Sequence, residues 1–115
     1  MKTIRPPWAI TPNKIKAAIQ KIISIEQPCK VILFGSTVQG KPDIHSDIDI
    51  MVVVKDEHVN PRKESIRIRR ALQGINMAMD IIVVSENFLQ KVADQPGLIY
   101  REVLRSGKVV YESAK

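Results

Sequence analysis

The 115-residue sequence is 44% hydrophobic and 26% charged, which excludes a disordered segment and predicts one globular domain over residues 1–115. Its formal net charge of +6 favours anionic partners without selecting among them. No apolar run approaches the length of a membrane span or of a signal-peptide core, and the single Cys29 excludes an intrachain disulfide. We therefore expect a cytoplasmic protein that makes no contact with membranes.

The first predicted elements are a helix and a strand. Thr11 and Pro12 are typical of a helix N-cap and of the first helical position, and apolar residues then recur at helical spacing through TPNKIKAAIQKIIS. KVILF, residues 30–34, predicts a short buried strand that Gly35 ends. The following STVQG, residues 36–40, is long enough for about one helical turn.

The rest of the chain continues this alternation. DIDIMVVV, residues 47–54, predicts a second strand. Asn60 and Pro61 are typical of another N-cap and first helical position. The helix after them has a basic outer face, and its apolar residues repeat at helical spacing as far as Ile75 through RKESIRIRRALQGI. MAMDIIVVS, residues 77–85, predicts a third strand entered through Asp80. ENFLQKV and GLIYREVLRS then have helical patterns, and KVVYE predicts a final short strand.

Aspartates at the strand entrances require an explanation, because a carboxylate among apolar neighbours costs free energy unless a cation compensates it. Side chains alternate along a strand, so Asp47 and Asp49 share one face and lie roughly 6 to 7 Å apart. If the strand that carries Asp80 lies beside them, three carboxylates meet at one edge of the sheet. Such a group suits two hard divalent cations with oxygen ligands, which predicts Mg²⁺ or Mn²⁺.

Gly35 and Ser36 fit the other half of such a site. A glycine at a strand-to-helix turn lets a phosphate approach the backbone. The N–H groups that open a helix, together with the Ser36 hydroxyl, can then hold that phosphate. This pair therefore predicts a contact with the tail of a nucleoside triphosphate.

Gly35-Ser36, ten intervening residues and Asp47-Ile48-Asp49 together resemble the signature of the DNA polymerase beta-like nucleotidyltransferase superfamily, in particular its minimal nucleotidyltransferases. VILFGS, SDIDIMVVV, MDIIVVS and IYREVLRSGKVVYE also resemble family segments, so the resemblance covers nearly the whole chain. It implies an α/β (α+β) nucleotidyltransferase fold. We expect a small mixed sheet with helices packed mainly on one face and the metal site at the exposed edge of the other.

The resemblance also implies a role for each motif residue. Asp47 and Asp49 would coordinate two magnesium ions, and Asp80 would bind the catalytic ion and help to deprotonate the attacking hydroxyl. Gly35 and Ser36 would bind the triphosphate of ATP. The implied reaction is in-line attack of an acceptor hydroxyl on the α-phosphorus, with release of pyrophosphate. Many relatives carry an arginine shortly after Gly-Ser, and TVQG departs from that pattern here.

The acceptor is implied only through the family. Minimal members are typically paired with a HEPN-domain protein, often a toxin ribonuclease. The resemblance therefore implies an antitoxin that transfers AMP from ATP to a hydroxyl, a tyrosine in studied cases, of a HEPN-domain toxin within a hetero-oligomer. Two alternatives are open: a non-catalytic antitoxin that neutralises the toxin by complex formation, and a small-molecule nucleotidyltransferase of the antibiotic-modifying type.

Each motif also has a simpler interpretation. The three aspartates are also compatible with solvated positions at strand entrances, and Ser36 is compatible with a helix N-cap. Two interpretations of the basic helix face are open: it binds RNA or an acidic partner, or it is a solvated surface. Nucleic acid is not favoured, because base-stacking aromatic residues are absent from that segment. The basic residues of this face are Arg62, Lys63, Arg67, Arg69 and Arg70.

Overall fold

The computed structural model describes residues 9–35, 47–93 and 95–113. Within these ranges, helices and strands alternate much as the sequence predicts. The elements are α1 (Pro12–Glu26), β1 (Lys30–Phe34), β2 (Ile48–Val54), α2 (Pro61–Ala71), β3 (Met79–Ser85), α3 (Glu86–Val92), α4 (Ile99–Ser106) and β4 (Lys108–Glu112). The turn predicted for residues 36–40 lies outside the described residues, as does Ser36.

Side-chain caps begin the two longest helices as predicted. The Thr11 hydroxyl accepts a hydrogen bond from the Lys14 backbone N–H at 3.2 Å, and α1 begins at the next residue, Pro12. The Asn60 side-chain oxygen accepts one from the Lys63 N–H at 3.1 Å at the start of α2. Each cap satisfies a backbone donor that the first helical turn leaves without a partner.

The second helix is shorter than its apolar pattern predicts. The pattern continues to Ile75, whereas α2 ends at Ala71 and the chain turns over the next residues. Ile75 N–H donates to the Leu72 carbonyl at 2.9 Å within this turn. Gly74 has low helix propensity, which disfavours continuing the helix. A non-helical turn places Ile75 against the core instead.

The four strands form one mixed sheet in the order β3-β2-β1-β4. β1 is antiparallel to both β2 and β4, whereas β2 and β3 are parallel. Parallel neighbours need a crossover connection, and α2 supplies it between β2 and β3. The entrances of β2 and β3 therefore lie at the same edge of the sheet.

Helices α1 and α2 cover the larger core on one face of the sheet. Helices α3 and α4 contribute to a smaller core on the other face. The first core contains Ala18, Ile22, Val31, Leu33, Ile48, Ile50, Val52, Val54, Ile68, Leu72, Met77, Ile81 and Val83. The second contains Ile32, Phe34, Met51, Val53, Val84, Leu89 and Val103. The mixed α/β fold that the sequence predicts is confirmed, but two helices pack on each face of the sheet and not mainly on one.

Alternation along β2 places its acidic end on the face with the smaller core. Asp49 is two residues before Met51, which is fully buried in that core. Asp47 precedes the strand and is exposed. None of the helices in the described ranges is long and apolar enough to cross a membrane.

Candidate active site

Strand register brings the predicted acidic residues to one place. In the parallel pairing of β2 with β3, Asp49 lies directly beside Asp80. In the antiparallel pairing of β1 with β2, Phe34 lies opposite Asp49, so Gly35 follows at the same edge. Asp47 precedes β2, and its charge acts on Asp49. Four of the five predicted site residues are therefore neighbours, and Ser36 is outside the described residues.

Gly35 leaves the space that the Asp49 carboxylate occupies. Its φ of +89° lies in the left-handed region that favours glycine. A Cβ atom at this position would overlap Asp49 Oδ2 and would lie 3.1 Å from Asp49 Cγ. Glycine is therefore required both by the backbone conformation and by the carboxylate beside it.

The surroundings of Asp49 shift its pKa. Burial raises its pKa above the usual value, and the nearby charges of Asp80 and Asp47 raise it further. Asp49 is half-buried, whereas the other two are exposed. The three carboxylates thus form a mutually repulsive cluster, in which a bound cation would lower the free energy.

Arg69 contacts a predicted site residue, and sequence reasoning did not place it there. From the last turn of α2, its Nη2 atom donates to Asp80 Oδ1 at 2.7 Å. The sequence predicted only a basic outer face for this helix. The available signal was topological: a crossover helix between parallel strands β2 and β3 must end near the start of β3, where Asp80 lies.

The chemistry of these residues fits a hard divalent cation, although their present arrangement is not a formed metal site. Within residues 9–35, 47–93 and 95–113, no three acidic, histidine or cysteine side chains are arranged to hold a metal ion. The donors that meet at the edge are nevertheless carboxylate oxygens, the ligands that Mg²⁺ prefers. Asp80 contacts Arg69 at 2.7 Å. For a cation to bind to Asp80 together with Asp49, the Asp80 carboxylate must either contact both the cation and Arg69 or leave Arg69.

A cleft of about 240 Å³ opens beside Asp49. Helix α4 supplies part of its wall, including Glu102, whose backbone carbonyl accepts a hydrogen bond from Ser106 Oγ at 3.0 Å. Sequence reasoning missed this wall, because the approach of α4 to β1 depends on tertiary packing. The cleft is lined by Phe34, Gly35, Asp49, Ile99, Glu102, Val103 and Ser106.

A larger cavity of about 530 Å³ lies elsewhere, along β3 and between Arg62 and Phe88. None of the predicted site residues lines it. Gly35 and Asp49, whose pKa is raised, both line the smaller cleft, which makes it the candidate site.

A mixed sheet with a glycine at the end of one strand and aspartates at the entrances of two neighbours is the arrangement expected of a nucleotidyltransferase. The family model described as "Polymerase beta, Nucleotidyltransferase" matches residues 13–115, and the chain belongs to this family. The superfamily predicted from the Gly-Ser and Asp-x-Asp motifs is thereby confirmed. The chain is a nucleotidyltransferase domain.

Solved structures share the fold. A protein of Sulfolobus solfataricus, provisionally described as a nucleotidyltransferase, is 22% identical with a TM-score of 0.63 over 90% of this chain and 81% of its own. A mutant of the toxin-antitoxin MntA-HpeT is 24% identical, with a TM-score of 0.53 over 91% of this chain and 75% of its own.

A toxin-antitoxin structure with AMP-PNP is also 24% identical, with a TM-score of 0.50 over 91% of this chain and 76% of its own. A comparison with curated proteins gives no match. At these identities the structural likenesses establish the fold, and family membership establishes the class of protein.

Proposed function

We propose that this nucleotidyltransferase domain is a magnesium-dependent antitoxin that transfers AMP from ATP to a tyrosine hydroxyl of a HEPN-domain toxin. The observation that carries the catalytic part is the strand register that places Asp49 beside Asp80 and next to Gly35. The partner is supported by the resemblance to minimal nucleotidyltransferases. Similarity of fold to two toxin-antitoxin structures, one with AMP-PNP, adds to that support.

The proposed reaction forms one phosphorus–oxygen bond and breaks another. The acceptor hydroxyl oxygen would attack the α-phosphorus of ATP, and the bond to the β-phosphate oxygen would break to release pyrophosphate. Asp47, Asp49 and Asp80 would hold magnesium, which stabilises negative charge on the entering and leaving oxygens. Asp80 would help to remove the hydroxyl proton, and its exposure leaves it accessible to an acceptor.

Nucleotide binding would combine Gly35 with the cleft beside Asp49. The absence of a side chain at Gly35 lets the backbone approach a phosphate, and Ser36 is the predicted second contact with the triphosphate. The cleft has both apolar and polar walls, from Ile99 and Glu102 respectively. Such a lining suits a ligand that is partly apolar and partly hydrogen-bonding.

A non-catalytic antitoxin is the second candidate, and the exposed basic face of α2 favours it. Arg62, Lys63 and Arg70 are exposed on a chain with a net charge of +6, which suits an acidic partner surface. Arg67 instead binds Glu26 and Glu64 within the chain, at 2.6 Å and 3.1 Å. Only part of the predicted basic face is therefore available to a partner.

Intact mass spectrometry separates these proposals. The product of the neighbouring gene, tested as the toxin, would be incubated with this protein, ATP and Mg²⁺. We expect a gain of one or more AMP units with the wild type and none with Asp47→Asn/Asp49→Asn. Asp56→Asn/Glu57→Gln is the matched control, because it neutralises two exposed acidic residues beyond the other end of β2 and should retain activity.

The remaining outcomes contradict different parts of the proposal. A stable complex without a mass gain would favour the non-catalytic antitoxin. Neither a complex nor a mass gain would contradict the toxin partner. In that case, labelled AMP transferred to an aminoglycoside would favour a small-molecule nucleotidyltransferase.

A further inference from the structure

Arg69 is a cationic side chain that contacts Asp80 of the carboxylate cluster. Its Nη2 atom lies 2.7 Å from Asp80 Oδ1, and both side chains are 51% exposed. Asp80 is in register with Asp49, whose pKa is raised by burial and by the charges of Asp80 and Asp47. The guanidinium therefore lies within the electrostatic reach of the whole cluster.

This charge has opposite effects on the two ligands expected at the site. A divalent cation needs the Asp80 carboxylate that Arg69 binds, and the guanidinium also repels that cation directly. A triphosphate is an anion, and guanidinium groups bind phosphate oxygens well because their N–H donors form a planar fork. Arg69 thus disfavours a free metal ion and favours a metal ion that arrives with phosphate groups.

We propose that Arg69 is a positioning residue that makes the site select a metal–nucleotide complex over a free divalent cation. When the complex binds, Asp80 turns to the metal and the released guanidinium contacts the triphosphate. This inference rests on the proposed nucleotidyl transfer, since it assumes that Asp47, Asp49 and Asp80 hold the metal.

Other basic residues of α2 do not fit this role. Arg67 donates to Glu26 and Glu64 and also to the Ile25 carbonyl, which hold it against α1. Arg70 is an exposed neighbour of Arg69 on the same helix, and Arg70→Gln removes the same charge from the adjacent position. It is therefore the matched control.

The test measures metal binding without any reaction. Free Mn²⁺ would be followed by electron paramagnetic resonance during titration of wild type, Arg69→Gln, Arg69→Lys and Arg70→Gln. In the absence of nucleotide, Arg69→Gln should bind Mn²⁺ about threefold to tenfold more tightly than wild type, because an exposed competing charge is removed. Arg69→Lys retains the charge and should stay near the wild type, as should Arg70→Gln.

The second titration adds an ATP analogue that cannot be cleaved between the α- and β-phosphates. Arg69→Gln should now bind the Mn²⁺–nucleotide complex about threefold to tenfold more weakly than wild type. Arg69→Met is a second neutral variant. It should agree with Arg69→Gln if loss of charge, and not a new contact of glutamine, causes the change.

Two failures are distinguishable. If Arg69→Gln and Arg70→Gln change both affinities equally, the inference about Arg69 is wrong while the metal site stands. If wild type binds no Mn²⁺ with or without the nucleotide analogue, the proposed metal-dependent function is itself wrong, and the inference fails with it.

Discussion

The two ends of β2 differ in what their side chains do. Met51–Val54 are all buried, and they alternate between the two cores of the sheet. At the other end, fully buried Ile50 alternates with half-buried Asp49, while Asp47 is exposed. Because neighbouring residues of a strand point to opposite faces, one residue can stabilise the fold while the next serves chemistry.

The acidic end of β2 opposes folding when no cation is present. Burial and the charges of Asp80 and Asp47 raise the pKa of Asp49, so its ionised form is less favourable in the folded chain than in the unfolded chain. An apolar residue there would extend the smaller core. The comparison separates Ile50, which stabilises the core, from Asp49, whose proposed role is to bind a cation.

The largest loss of stability is expected at Ile50. Ile50→Ala should lower the free energy of unfolding by about 2 to 5 kcal/mol, because it leaves a cavity in the core under α1 and α2. Urea denaturation measures this change. Ile66→Ala is the matched control, since Ile66 is 42% exposed, and its effect should stay within about 0.5 kcal/mol. Equal losses for the two variants would contradict the assigned core.

A smaller loss is expected at Gly35. Gly35→Ala should lower the free energy of unfolding by more than Gly97→Ala does. The Gly97 variant measures the strain of a positive φ alone, which costs about 1 to 2 kcal/mol. Both glycines have a positive φ, but a Cβ at Gly97 meets no atom within 4 Å. Only Gly35→Ala should also reduce nucleotidyl transfer, because it displaces the Asp49 carboxylate. The same activity for both variants would show that this contact is unimportant.

Glu26 should make stability depend on pH. Burial raises its pKa from 4.5 to about 7, and Glu64 adds to this shift while Arg67 opposes it. Between these values the folded chain binds more protons than the unfolded chain, so the free energy of unfolding should fall as pH rises from about 4.5 to 7.

The pKa of about 7 already includes the opposing charge of Arg67, so at about 1.4 kcal/mol per pKa unit the size of this effect should be on the order of 3 kcal/mol. Denaturation of wild type and Glu26→Gln across this pH range measures it. The amide does not titrate, so the difference between the two proteins should change with pH. A constant difference would show that Glu26 is ionised throughout.

The smallest change in stability is expected at Asp49, where the substitution should stabilise the fold, unlike those at Ile50 and Gly35. A carboxyl with a raised pKa destabilises the folded chain as pH rises, so Asp49→Asn should increase the free energy of unfolding at pH 7 in metal-free buffer by a few tenths to about 1 kcal/mol. The gain should diminish at lower pH. Chemical denaturation with a chelator present measures it, and a large loss of stability would mean that Asp49 supports the fold.

Local signals in the sequence were sufficient for most of the fold. Thr11 and Asn60 cap their helices as predicted, because capping depends on residues only three apart. The sequence also predicted the aspartates at the strand entrances. Alternation of side chains along a strand determines the face of the sheet on which Asp49 lies. The end of α2 was placed too late, because the apolar pattern continues through a turn to Ile75.

The parts of the site that sequence reasoning missed depend on tertiary packing. Arg69 meets Asp80 only because α2 crosses over between parallel strands, and strand order was not determined by the local pattern. Glu102 lines the cleft because α4 packs near the end of β1. Both residues looked like ordinary charges on a helix surface.

Anomalous X-ray scattering would test the central claim, that the strand entrances form a metal site. Crystals would be grown with Mn²⁺ and an ATP analogue that cannot be cleaved between the α- and β-phosphates. We expect an anomalous peak within bonding distance of Asp47, Asp49 and Asp80, with Asp80 released from Arg69. Bound nucleotide with manganese only at other residues would contradict this account.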